Sequence, residues 1–241
     1  MMSWLLVSVA LLGAPARAQD PAAAQKLYDS GDYAGAAAAY RKLAAEQPSE
    51  PAWQYDLGDA LFKAGKLGPS VAAFERAYRL APRSGDVRFN LSFALKRAGE
   101  DLVPPGVPPA VYVAFHWLSE RELAGLQWLG CWLFLLLATA WVARPSRREA
   151  LAPWTAAALA FWVAAGGWWG ARAWLEPAAE GVIVKTTAEL RNGPGDGFSV
   201  SFTVPEGRRV ELLSEQGQWL EVGVAKEGAK GWIKAEDVEK I

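Results

Sequence analysis

Two long apolar stretches constrain this chain more than any other feature. Residues 123–143 open LAGLQWLGCWLFLLLATAWV and carry no charge; Gln127 is their one amide. Residues 151–171 are also uncharged. Each matches the ~20 apolar residues a helix needs to cross ~30 Å of hydrocarbon. Between them, residues 144–150 hold three arginines, Arg144, Arg147 and Arg148. Arginine at mid-bilayer costs ~2.5–3.5 kcal/mol, so this turn belongs outside the hydrocarbon, and basic loops tend to stay cytoplasmic. Trp128, Trp141, Trp154, Trp168 and Trp169 fall where an interfacial belt would lie. The competing arrangement is a helical hairpin buried in a soluble core, but the flanking segments are too small and polar to surround both helices.

Net charge is −1, which gives no overall field for nucleic acid. The single cysteine, Cys131, lies inside the first apolar stretch and excludes an intrachain disulfide or a multi-thiolate site. The one histidine, His116, excludes a His-rich metal cluster. Residues 1–18 read as a signal peptide, with an apolar run from Trp4 to Leu12 and a small-x-small site at Ala16-Arg17-Ala18. No Lys or Arg precedes that run, and an uncleaved anchor is the alternative. Export would place the following segment outside the cytoplasm. The basic turn then lies inside, and both flanking regions face the same, extracytoplasmic, side of the membrane.

Residues 19–100 repeat with a period of 34: Gly31, Gly65 and Gly99 fall in register, as do Leu27, Leu61 and Leu95, Pro48 and Pro82, and Tyr40 and Phe74. The spacing resembles the tetratricopeptide repeat (TPR). Each unit is expected to be two short amphipathic helices, with glycine at the turn and proline after the second helix. Ala36, Ser70 and Gly58 would allow close approach. About two and a half units are present, the last being one helix from Asp86 to Ala98. Gln54 stands where the family has tryptophan, and Trp53 is one residue early. The resemblance implies a concave, peptide- or protein-binding face made by the first helices. By family position that face holds Gln25, Tyr28, Tyr55, Asp59, Phe62, Lys63, Phe93, Lys96 and Arg97. Phe62 and Phe93 could equally be core. The mixed sign argues against a simple clamp for a C-terminal carboxylate.

Residues 101–122 begin with a proline-rich spacer, DLVPPGVPPA, and continue as an aromatic segment. Val111 to Glu122 is expected either to complete the helical stack or to lie at the headgroup level through Tyr112, Phe115 and Trp117. In the second apolar stretch Ala156, Ala160, Ala164 and Gly167 recur at helical spacing, either as a close-packing face or as filler.

From residue 179 the period shortens. Val182-Ile183-Val184, Arg208 to Leu213 and Trp219 to Val224 are β-rich, punctuated by Asn192-Gly193-Pro194-Gly195, Glu206-Gly207 and Gln216-Gly217. A small barrel is expected. Leu190-Arg191-Asn192-Gly193-Pro194, Trp219-Leu220-Glu221-Val222 and Gly231-Trp232-Ile233 resemble the bacterial SH3-like (SH3b) domain over residues 179–241. The resemblance puts Trp219 at the groove position, with a core position the alternative, and Trp232 in the core. Lys234, Glu236 and Asp237 stand where Pro-rich-ligand binders keep proline and tyrosine, which disfavours such a ligand.

No catalytic constellation, phosphate-binding loop or metal-ligand spacing is present, so neither enzyme activity nor a cofactor is expected. The fold class is therefore a multidomain membrane protein: all-α TPR helical repeats, a two-helix transmembrane hairpin and an all-β SH3-like barrel. This order of parts resembles the BatE-type members of the Bat (Bacteroides aerotolerance) family. That resemblance implies partners carrying von Willebrand factor A domains, indirectly a MoxR-type ATPase, and a role in envelope integrity or oxidative stress. The expectation is a non-enzymatic inner-membrane scaffold; the alternative is a sensor or anchor gripping peptidoglycan through the SH3-like part.

Overall fold

The computed structural model describes residues 20–175 and 179–241. The signal-peptide reading of residues 1–18 lies outside them. Five helices form the repeats: α1 (Pro21–Asp29), α2 (Tyr33–Glu46), α3 (Pro51–Lys63), α4 (Leu67–Leu80) and α5 (Gly85–Arg97). Gly31, Gly65 and Gly99 each adopt positive φ, 85°, 76° and 74°, which is the turn the 34-residue register anticipates. Helix α2 stops two residues before Pro48, and α4 two before Pro82. Gly58 lets α3 and α4 close up: a Cβ there would sit 2.6 Å from the Phe74 ring. Ser70 Oγ donates to the Gly58 carbonyl at 2.8 Å across the same contact.

The stack does not gain a sixth repeat helix. Helix α6 (Pro109–Phe115) has only seven residues, none buried. Its Tyr112 and the preceding Leu102 nevertheless pack against the core formed by Val71, Phe74, Leu91 and Leu95.

Among the described residues, two helices are long and apolar enough to cross a membrane: α7 (Glu120–Ala143) and the helical segment Pro145–Leu175, whose α-helical part is α8 (Arg148–Leu175). At 24 and 28 residues they run ~36 and ~42 Å, more than a hydrocarbon core requires. The turn is tighter than residues 144–150, because Arg148 already opens α8. Its guanidinium lies over Trp141, 5.1 Å from the ring centroid. Helices α7 and α8 meet through Leu123 and Gly130 on one side and Ala158 and Ala165 on the other, with Phe134 stacked on Trp162. Ala156, Ala160, Ala164 and Gly167 face outward, so the small-residue stripe is not the packing face within the hairpin. The 3.5-residue spacing of an antiparallel pair selects 158 and 165 instead.

Seven strands follow: β1 (Glu180–Ile183), β2 (Thr187–Arg191), β3 (Val200–Pro205), β4 (Arg209–Gln216), β5 (Trp219–Val224), β6 (Ala229–Lys234) and β7 (Val238–Lys240). They form one antiparallel sheet in the order β3-β2-β6-β5-β4-β1-β7. Edges β3 and β7 do not pair with each other, so the sheet is open rather than the expected closed barrel.

The sheet is docked on the repeats. Gly181, Val182 and Ile183 in β1 are all buried, since the strand is covered on both faces. Val182 belongs to the repeat core with Phe74 and Leu95, whereas Ile183 belongs to the sheet core. A Cβ on Gly68 would fall 2.2 Å from the Ile183 carbonyl oxygen, and one on Gly207 2.6 Å from Ala98 Cβ, so two backbones meet where no side chain fits. Charged side chains fix the register. Arg208 Nη1 reaches Glu100 at 3.3 Å, both side chains being 8% exposed, and Arg208 Nη2 reaches Glu227 at 2.9 Å. Arg209 Nε donates to Glu100 at 2.8 Å and its Nη1 reaches Glu75 at 3.4 Å. Outside this buried group, Arg76 pairs with Glu239 at 2.6 Å, and the more exposed Arg79 pairs with Glu180 without fixing the register. On the hairpin side, Arg83 grips Glu122, which also closes the Ser119 capping box of α7.

Removing Glu100 leaves Arg208 buried with Glu227 as its remaining acid. Glu100→Ala is therefore expected to cost about 3 kcal/mol, the low end for breaking a buried pair. In thermal unfolding of the full-length protein, the repeats and the sheet should then melt in two separate steps rather than one.

Candidate functional site

Two surfaces lie clear of the docking contacts. The first is the inner strip of α1, α3 and α5. Between α1 and α3, Tyr28 Oη donates to Asp59 at 2.7 Å and packs edge-on to Tyr33. Gln25 ties α1 to α2 instead, accepting from Tyr40 Oη at 3.0 Å, and donates to Asp29 of its own helix at 2.8 Å. Between α3 and α5, Asn90 donates to Tyr55 Oη at 2.9 Å. Further along, Phe62 and Phe93 pack at 5.5 Å, and the Arg97 guanidinium sits 6.0 Å from the Phe62 centroid. Phe93 is half exposed, so it is not core. Lys63 is exposed beside them. The structure thus brings together Gln25, Tyr28, Tyr55, Asp59, Phe62, Phe93 and Arg97. Lys96 falls elsewhere, lining a separate groove with Phe89, Ser92 and Tyr112.

The seam between α1 and α3 is acidic. Burial, reinforced by Asp59 one turn on, pushes Asp56 from its ordinary 3.8 up to about 6. Burial and the nearby Asp56, Asp29 and Asp59 push Tyr40 up to about 12. Burial and the bond to Asp59 raise Tyr28 as well. Asp56 and Tyr40 carry this electrostatic character, yet sequence position did not single them out; the i, i+3 pair of acids on α3 was the available signal.

The second surface is the outer face of β5 and β6. Alternation turns Leu220 and Val222 inward and Trp219 and Glu221 outward. Trp219 is half buried and outside the sheet core, with Lys234 Nζ 5.7 Å from its ring centroid. Lys234 also pairs with Asp196 at 3.2 Å. Trp232 is not core either: its neighbours Gly231 and Ile233 face inward, and it stands across from Glu221 and Arg191. Arg191 donates to the carbonyls of Asp196 and Phe198 at 2.9 and 2.8 Å, holding the 192–199 loop beside the two indoles. In that loop the Phe198 ring lies over Gly193, where a Cβ would come within 2.5 Å, and it remains half exposed. The result is a shelf of Trp219, Trp232 and Phe198 edged by both charge signs. Trp219 lies at the far end of β5 from Lys226, which touches Gly99, roughly 17 Å along the strand.

Comparison with known proteins agrees with this division. Residues 22–86 match the tetratricopeptide repeat family, and residues 186–239 match the bacterial SH3 domain family. Across 58 residues in the SH3 region the chain is 36% identical to the putative N-acetylmuramoyl-L-alanine amidase YrvJ of Bacillus subtilis. That segment is 23% of this chain and 11% of the amidase, so the chain spans only a small part of that relative's length. Both matched domains are non-catalytic binding modules.

The Asp56 shift has a definite sign. Its folded pKa of about 6 lies above the ordinary 3.8, so between those values the folded state holds the extra proton. Stability contributed by this group is full at the acid end and is lost as pH rises through the folded value. Asp56→Asn should therefore melt higher than the native protein at pH ~7, with the gap closing as the pH is lowered to ~4. Thermal melts of both proteins across that range check it.

Proposed function

We propose that this protein is a non-enzymatic scaffold of the bacterial inner membrane that holds a repeat groove and an SH3-like shelf, as one rigid head, on the periplasmic side. The observation that carries this reading is the buried ionic seam between Glu100, Glu75, Arg208 and Arg209. It fixes the two binding modules against each other at the same end of the hairpin and leaves the inner strip and the Trp219–Trp232 face open. The signal-peptide reading of residues 1–18 and the arginine-rich turn support the periplasmic orientation. The order of modules supports membership of a Bat-type envelope complex, with partners that carry von Willebrand factor A domains and an indirect link to a MoxR-type ATPase.

The match to a small part of the putative N-acetylmuramoyl-L-alanine amidase YrvJ favours a second reading, in which the shelf grips peptidoglycan. Aromatic faces with neighbouring polar groups are suited to stacking on sugar rings or short peptides.

Two measurements separate these readings and test the topology. Reporter fusions after Ile241 should be active only outside the cytoplasm, and fusions at Ser146 only inside. Detergent-solubilised full-length protein should recover membrane proteins with A domains, and the exposed changes Lys63→Glu with Arg97→Glu should abolish that recovery while Trp219→Ala retains it. The wall-anchor reading expects the reverse: co-sedimentation with purified peptidoglycan, lost in Trp219→Ala and Trp232→Ala, and no protein partner.

A further inference from the structure

A cavity of about 270 Å³ lies where the repeats, the linker, the hairpin and the sheet meet, away from both surfaces described above. Glu75 and Arg79 of α4, Glu120 and Arg172 of the hairpin, and Glu180 and Arg209 of the sheet all line it. Its level is set by the hairpin. Glu120 is the first residue of α7, just before the apolar stretch, and Arg172 directly follows residue 171. Trp168 Nε1 donates to the Phe115 carbonyl at 3.1 Å, and Arg172 Nη1 to the Leu118 carbonyl at 2.8 Å. These bonds hold the linker as the rim of the cavity at the plane where the helices leave the hydrocarbon. Trp117 and Trp174, 50% and 85% exposed, flank that plane in the manner of interfacial tryptophans.

The lining charges select the ligand. Three guanidinium groups and three carboxylates line the same space, with Arg209 paired to Glu75 and Arg79 paired to Glu180. A simple anion would meet the carboxylates, and a simple cation the guanidinium groups. A molecule carrying both signs satisfies both sets. The Arg79–Glu180 pair is about one-third exposed on each side, so its opening costs little. Arg79 can then turn to a phosphate, for which its planar donors are suited, while Glu180 accepts an ammonium. We infer that this cavity seats the head group of a zwitterionic phospholipid, a phosphate ester bearing an ammonium group, at the junction of all four parts of the chain. The inference rests on α7 and α8 lying in a membrane and is independent of which partner the head recruits.

The test uses purified full-length protein in a lipid-free detergent. It is titrated with dihexanoyl-phosphatidylethanolamine, dihexanoyl-phosphatidylglycerol, phosphoethanolamine and inorganic phosphate, and the melting midpoint is read. Phosphatidylethanolamine should raise the midpoint by ~2–4 °C, and the other three should leave it unchanged. Arg79→Gln should abolish the rise while moving the unliganded midpoint by less than ~1 °C, as expected for an exposed pair. An equal rise with phosphoethanolamine would reassign the site to a soluble ligand and overturn the lipid assignment. Equal rises with both lipids, or a rise that survives in both Arg79→Gln and Glu120→Gln, would overturn the site itself. The reporter fusions decide the membrane reading separately, so failure here and failure there are distinguishable.

Discussion

The arrangement of this molecule depends on a short run of two arginines, Arg208 and Arg209, set at the start of β4 against two glutamates of the repeats. Glu100 takes both, with Arg208 at 3.3 Å and Arg209 at 2.8 Å, and Glu75 takes Arg209 from the other side. Such a seam contributes little net stability, because the desolvation of each charge offsets most of the Coulombic gain. Its effect is on orientation. Any slippage of the sheet over α4 would strand Arg208 or Glu100, each almost fully buried, without its partner. Apolar contact through Val182 supplies adhesion, and the ionic seam supplies register.

Close backbone approach makes that register possible. Gly68 of α4 meets the backbone at the end of β1, Gly207 in the turn before β4 meets Ala98 just after α5, and neither tolerates a Cβ without displacing backbone or a buried methyl. Glu206 reaches over the same contact to accept from the Gly68 amide at 2.8 Å, which satisfies a donor at the first turn of a helix. The consequence reaches the hairpin. Arg83, one turn beyond α4, holds Glu122 at the head of α7, so repeats, sheet and apolar helices share one frame. Two antiparallel helices return the chain to the side it left, and the docking contacts require that same-sidedness whichever side it is.

Much of this was legible as periodicity. A spacing of 34 between Gly31, Gly65 and Gly99 implies a positive-φ turn at each, and all three adopt it. The apolar stretches reveal their helices by length alone, and strand alternation locates β5. What was not legible came from single residues whose meaning depends on distant ones. Arg76 and Glu239 are 163 positions apart, and nothing local marks either as an interface residue. Trp232 reads as core because it is large and apolar, but the inward places on β6 belong to Gly231 and Ile233. The stripe from Ala156 to Gly167 has helical spacing, yet a partner helix can occupy only one face, and Gly130 directs α7 to the face of Ala158 and Ala165. Sheet closure was likewise out of reach, since β7 is spent pairing with β1 rather than meeting β3.

The sharing of β1 has a further consequence for how the SH3-like part should be regarded. A free-standing SH3-like unit keeps its apolar side chains within its own core. Here Val182 and the terminal Ile241 pack into the repeat core beside Phe74 and Leu95, while Ile183, next along the strand, packs into the sheet. Cutting the chain before residue 179 would expose Val182 and the charged residues Arg208 and Arg209 together, the first costing apolar burial and the others losing their acids. The sheet is thus only conditionally a domain: its outer shelf is an independent surface, but its other side is completed by α4 and by Glu100. Binding measured on the isolated sheet would report on a surface whose supporting register has been removed. The repeats and the shelf are therefore better understood as two faces of one head than as separate modules on a tether.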